Sequence, residues 1–88
     1  MNQEDLFLFA RRQPFKPFRL TLSTGKVLEV RHPELIMVGR RSAGVGVASR
    51  PNSTVYDHLI QVDLIHIVTA EEVPEQNAPS NGTDTMTA

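Results

Sequence analysis

The spacing of hydrophobic positions changes near residue 18. Before it, Leu6, Phe9 and Ala10 recur at helical intervals with Phe7 beside them, which predicts a short helix over about residues 3 to 12. Asn2 stands where an N-cap side chain is wanted, Glu4 and Asp5 sit against the positive end of the helix dipole, and Arg11 and Arg12 suit the C-terminus. Pro14 and Pro17 then bias Gln13 and Lys16 away from the α region, so the chain must leave the helix.

From Phe18 the period is two. Phe18, Leu20 and Leu22 point one way, while Arg19, Thr21 and Ser23 point the other. Thr24 and Gly25 supply a turn, and Val27–Arg31 returns with Leu28 and Val30 inward, giving a β-hairpin. His32 and Pro33 end it. The apolar run Leu35–Val38 is too short for a helix and reads as a buried third strand, followed by a mobile hairpin loop over Gly39–Gly44. Val45 and Val47 make a weak fourth strand, and Val55–Ile60 a fifth. Gln61–Leu64 reads as a tight turn before Ile65–Thr69, unless the two pieces run together with a bend.

The fold expected is therefore α+β, a short N-terminal helix packed on a bent antiparallel sheet of about five strands. A small barrel is the closed form of the same order. Residues 1–73 form a single domain. Pro74–Ala88 offers only Met86 as a large apolar side chain, too little to offset the entropy of ordering, and is expected to be a disordered tail.

Length sharpens this picture. A chain of 88 residues buries only about 60% of the surface its unfolded form exposes, and small folds often lean on a staple, a metal or a second subunit. The absence of cysteine excludes disulfides and thiolate metal sites. Self-association becomes the expectation, with a two-fold dimer the commonest arrangement. The acidic Met-Asn-Gln-Glu-Asp start lacks the basic region of a secretory signal, and no apolar run reaches the roughly 18 residues of a membrane span. A cytoplasmic protein with no membrane partner is expected, so the glycosylation triplet Asn81-Gly82-Thr83 is read as chance.

Charge is segregated along the chain. All nine Lys and Arg lie between Arg11 and Arg50 against Glu29 and Glu34, so that segment carries +7, while the residues from 51 onward carry −6. Two complementary faces, meeting within or between subunits, account for this better than a nucleic-acid surface, because the net charge is −1.

The string QPFKPFRLTLSTGKVLEV at Gln13–Val30, followed by Arg31, His32, Pro33 and Glu34, resembles a group of short uncharacterised bacterial proteins abundant in planctomycetes. They share a helix, a PFxPF lead into a strand, a glycine turn and an HPE exit. The likeness covers roughly residues 5–73. No activity is assigned to that group, so the resemblance implies none. The order of elements is similar to that of Sm-type barrels and the bacterial Sm-like RNA chaperone. The residues at Gly39–Gly44 and Val55–Asp63 do not match Sm loop residues one by one, so the likeness is one of architecture.

Candidate chemistry is sparse. His32, His58 and His66, with Asp57 and Asp63, are the only metal-like set, yet the gap between His58 and His66 is not a paired-ligand spacing. Gly39, Gly44 and Gly46 bracket Arg40, Arg41 and Ser42, but a strand pattern follows instead of the Lys-Ser/Thr that opens a helix after a phosphate loop. Glu71 and Glu72 read as solvated carboxylates rather than a catalytic pair. Phe15 and Phe18 read as packing around Pro17.

Pairing of the third and fourth strands would bring Arg40, Arg41 and Arg50 towards one basic rim, with Tyr56 the only aromatic placed for base stacking. The expectation is a non-catalytic interaction module that self-associates and needs no cofactor. The alternative is an Sm-like RNA binder using Arg40, Arg41, Arg50 and Tyr56.

Overall fold

Asn2 starts the helix as the sequence requires. Its Oδ1 accepts a hydrogen bond from the Asp5 N–H at 2.8 Å, and α1 (Gln3–Arg11) follows. Asn2→Ala removes this cap and is expected to cost about 1 kcal/mol, read as a lower midpoint in urea. The computed structural model describes residues 1–50 and 52–74. Leu6 and Ala10 are fully buried on the inner face of α1, Phe9 is half-buried, and Arg12 has already turned to an extended backbone two residues before Pro14. Phe7, expected beside the core, is exposed. It points outwards, with the Arg11 guanidinium 5.7 Å from its ring centre.

Six strands follow: β1 (Phe18–Leu22), β2 (Val27–Val30), β3 (Ile36–Val38), β4 (Ser42–Val47), β5 (His58–Asp63) and β6 (Ile67–Glu72). They form two antiparallel sheets, ordered β2-β1-β6 and β3-β4-β5. The class is α+β as expected, but the strands divide between two sheets that do not close into a barrel. The break lies where His32 leads into a single 3-10 turn at Pro33–Leu35, which interrupts strand pairing between β2 and β3. A second 3-10 turn, Leu64–His66, separates β5 from β6. Asp63 caps it by accepting from the Ile65 N–H at 3.2 Å.

The β1–β2 hairpin turns at Gly25, whose φ of +91° is open to glycine and strained for other residues. Its register pairs Phe18 with Val30 and Leu20 with Leu28, placing all four side chains inward. The acidic end of β6 runs antiparallel to β1, pairing Arg19 with Glu71 and Phe18 with Glu72. In the second sheet Val45 faces Ile36 on one side and Ile60 on the other, and Ala43 faces Val38 and Val62.

One core results. Leu6 and Ala10 from α1, Phe18, Leu20, Leu28, Val30 and Ile67 from the first sheet, and Ile36, Ala43, Val45 and Val62 from the second pack together with Leu64. The Phe18 ring lies 5.3 Å from that of Phe9 and 6.0 Å from that of Phe15, so the aromatic pair around Pro17 does close the helix onto the sheet.

Three strand boundaries differ from expectation. β4 begins at Ser42, inside the stretch read as a loop, because pairing on both sides holds Ala43 and Gly44 in the ladder despite their poor strand propensity. β5 begins at His58, since the segment before it is held in turns. Asp57 Oδ2 accepts from the Ser49 N–H at 2.6 Å, and the Ser53 hydroxyl accepts from the Val55 N–H at 2.9 Å. The turn read at Gln61–Leu64 falls at Leu64–His66, so β6 starts at Ile67. Residues 75–88, read as a disordered tail, lie outside the described residues.

Candidate functional site

The four residues considered for nucleic-acid contact are not brought together. Arg40 and Arg41 occupy the β3–β4 connection, where Gly39 N–H donates to Ser42 O at 2.7 Å. Arg50 lies beyond the other end of β4. Six strand residues at about 3.3 Å each separate the two groups by roughly 20 Å. A strand in the middle of its sheet carries its two connections to opposite ends, so the expected single basic rim does not form. Arg40 and Arg41 instead edge a cleft of about 420 Å³ shared with Met1, Asn2 and Asp63. Arg50 lines a different cleft with Arg31, and Tyr56 lies with neither.

Tyr56 packs on the outer face of the second sheet. A Cβ built on Gly46 would lie 2.9 Å from Tyr56 Cβ, so the ring rests directly on glycine backbone. In register around it, Met37 faces Gly44, and Gly46 faces Leu59. Two glycines thus floor a shallow apolar groove of about 120 Å³ walled by Met37, Tyr56 and Leu59. Met37 is 69% exposed and Leu59 54%.

The outer face of the first sheet is built differently. Arg19 meets Glu29 at 3.2 Å and Glu71 at 3.8 Å, and Arg31 meets Glu29 at 2.9 Å, forming a ladder of alternating charge. Arg12 lies 3.0 Å from Glu72. The basic middle and acidic end of the sequence therefore meet within one chain. Each exposed pair is worth about 0–1 kcal/mol, so the ladder does more to keep this face hydrated than to stabilise it.

Four strands have one edge outside the ladders: β2, β3, β5 and β6. At β3 the edge is covered, because Arg11 donates to Ile36 O at 3.2 Å and to Pro33 O at 3.4 Å. β2 looks onto the cleft shared with Gly46–Arg50. β6 carries Glu71 and Glu72, charges that discourage strand addition. β5 opens on His58 and closes on Asp63, but its middle, Leu59–Val62, has no charge at all.

The histidines are dispersed. Among the described residues no group of three or more His, Asp and Glu is placed to hold a metal ion. His66 Nδ1 lies 3.0 Å from Ser23 Oγ, a pair sequence spacing gave no reason to expect, since 43 residues separate them. The pair is exposed.

Asp57 is a carboxylate with a displaced titration. Hydrogen bonds from the Ser49 side chain and N–H hold it below the ordinary aspartate value of 3.8, with a smaller pull from His58. A carboxyl lowered in the folded state contributes its stability above the unfolded value and loses it as pH falls through the folded one. In a ¹³C NMR titration the Asp57 carboxyl is expected to show its midpoint below 3.8, and Asp57→Asn should speed amide exchange at Ser49. A midpoint at or above the ordinary value would remove the Ser49 link.

No helix among the described residues is long and apolar enough to cross a membrane. No protein-family model, no curated protein and no solved structure matches the chain.

Proposed function

We propose that the protein is a non-catalytic interaction module that self-associates as a two-fold dimer through its second sheet, using the β5 edge and the Met37–Leu59 face beside it. The observation that carries this reading is the contrast between the two outer faces. One is laced with ion pairs, whereas the other presents Met37, Tyr56 and Leu59 over glycine beside a strand edge that is uncharged over Leu59–Val62. Such an edge invites a second strand, and pairing β5 with its own copy in antiparallel sense is a closed, self-complementary contact. The bacterial cytoplasm is the proposed setting.

Light scattering on the full chain tests this. The expected mass is twice the 9.8 kDa of one chain, unchanged at 1 M salt, where the Debye length is about 3 Å. Leu59→Glu and Met37→Glu, both at exposed positions, are expected to give folded monomers. A wild-type monomer at all concentrations removes the proposal. Binding of short single-stranded RNA, weakened by salt and by charge reversal at Arg40 and Arg41, would favour the Sm-like alternative instead.

A further inference from the structure

The seam between the two sheets leaves a second cleft, of about 330 Å³, at the lower end of the range for small-molecule sites. Val27 and Leu28 of β2, Leu35, Val47 and Ala48 supply its apolar lining. Its rim carries Glu29, Arg31 and Arg50. Glu29 is already committed, 2.9 Å from Arg31 and 3.2 Å from Arg19. Arg50 meets no carboxylate within ion-pair distance among the described residues. The rim hydroxyl of Ser53 is also spent, donating to Val55 O at 3.2 Å. The cleft thus combines an apolar floor with an excess of one positive charge at its mouth.

We propose that this cleft binds a small monoanion with an apolar arm, a carboxylate on a short alkyl chain being the simplest member of the class. The carboxylate meets Arg50 and Arg31, and a planar guanidinium suits it through paired hydrogen bonds. The arm covers Val27, Val47 and Ala48, removing apolar surface from water. A single negative charge matches the net charge of the rim, whereas a phosphate dianion would face the Glu29 carboxylate with charge to spare. The site includes none of Met37, Tyr56 and Leu59, the side chains of the proposed dimer contact, although Leu35 and Gly46 line both it and the neighbouring groove.

Titration of the ¹⁵N-labelled full chain with octanoate tests it, with octanol and octyl phosphate as comparison probes. Octanoate is expected to shift the amides of Val27–Arg31, Leu35 and Gly46–Ser49 selectively and to bind roughly tenfold more tightly than octanol, the weight of one charge-assisted contact. Arg50→Gln, an exposed change that leaves the core intact, should remove that advantage while leaving octanol binding unchanged. Ala48→Leu narrows the floor and should weaken octanoate and octanol together. Equal binding of octanol, tighter binding of octyl phosphate, shifts centred elsewhere or an octanoate affinity indifferent to Arg50→Gln would each overturn the proposal.

Discussion

Phe18→Ala is expected to leave most molecules unfolded at room temperature. The ring is fully buried at the start of β1, packed against Phe9 at 5.3 Å and Phe15 at 6.0 Å, so its removal opens a cavity where helix, linker and sheet meet. Losses for such truncations run to about 3–5 kcal/mol, because the surroundings relax only in part. A chain this small sits near the lower end of the roughly 5–15 kcal/mol that natural domains possess. Urea unfolding followed by circular dichroism reads the effect. A variant melting within a few degrees of the parent would mean that the aromatic cluster does not hold helix to sheet.

Leu6→Ala should cost about 2–5 kcal/mol, but with a different signature. Leu6 is the largest fully buried side chain of α1, and a helix of nine residues is marginal without the face it buries. The β1–β2 hairpin keeps its turn and its own inward pairs, so amide exchange should accelerate first in α1 and in β3, which packs against it. Uniform loss of protection in every strand would show instead that helix and sheets unfold as one unit.

What was legible in the sequence was local. Asn2, the acidic first turn and Pro14 act within a few residues, and α1 runs within one residue of the expected boundaries. The β1–β2 hairpin was equally plain, because Gly25 and a strict two-residue period specify turn and inward face together. What was not legible depends on partners distant in the chain. Nothing local makes Ser42–Gly44 a strand. Its pairing with Val38 and Met37 and with Asp63–Gln61 does, and that pairing in turn sends Arg50 away from Arg40 and Arg41. The seat of Tyr56 on Gly46 and the link from Asp57 to Ser49 likewise arise from how one loop folds back over β4. Division into two sheets rests on the 3-10 turn after His32, which the sequence marked only as the end of a strand.

The guanidinium of Arg11, held over the carbonyls of Pro33 and Ile36, has a consequence for the size any assembly can reach. A sheet with two open sides is bivalent, and each added copy presents a fresh side for the next, which is how strand addition propagates into fibres. In the proposed dimer, with Arg11 on the β3 carbonyls, the second sheet would have a valence of one, and joining two copies would exhaust it. Growth would then terminate at the pair. The helix in this sense is a chain stopper carried in cis, and conditions that lift it from β3 would turn a terminating contact into a propagating one.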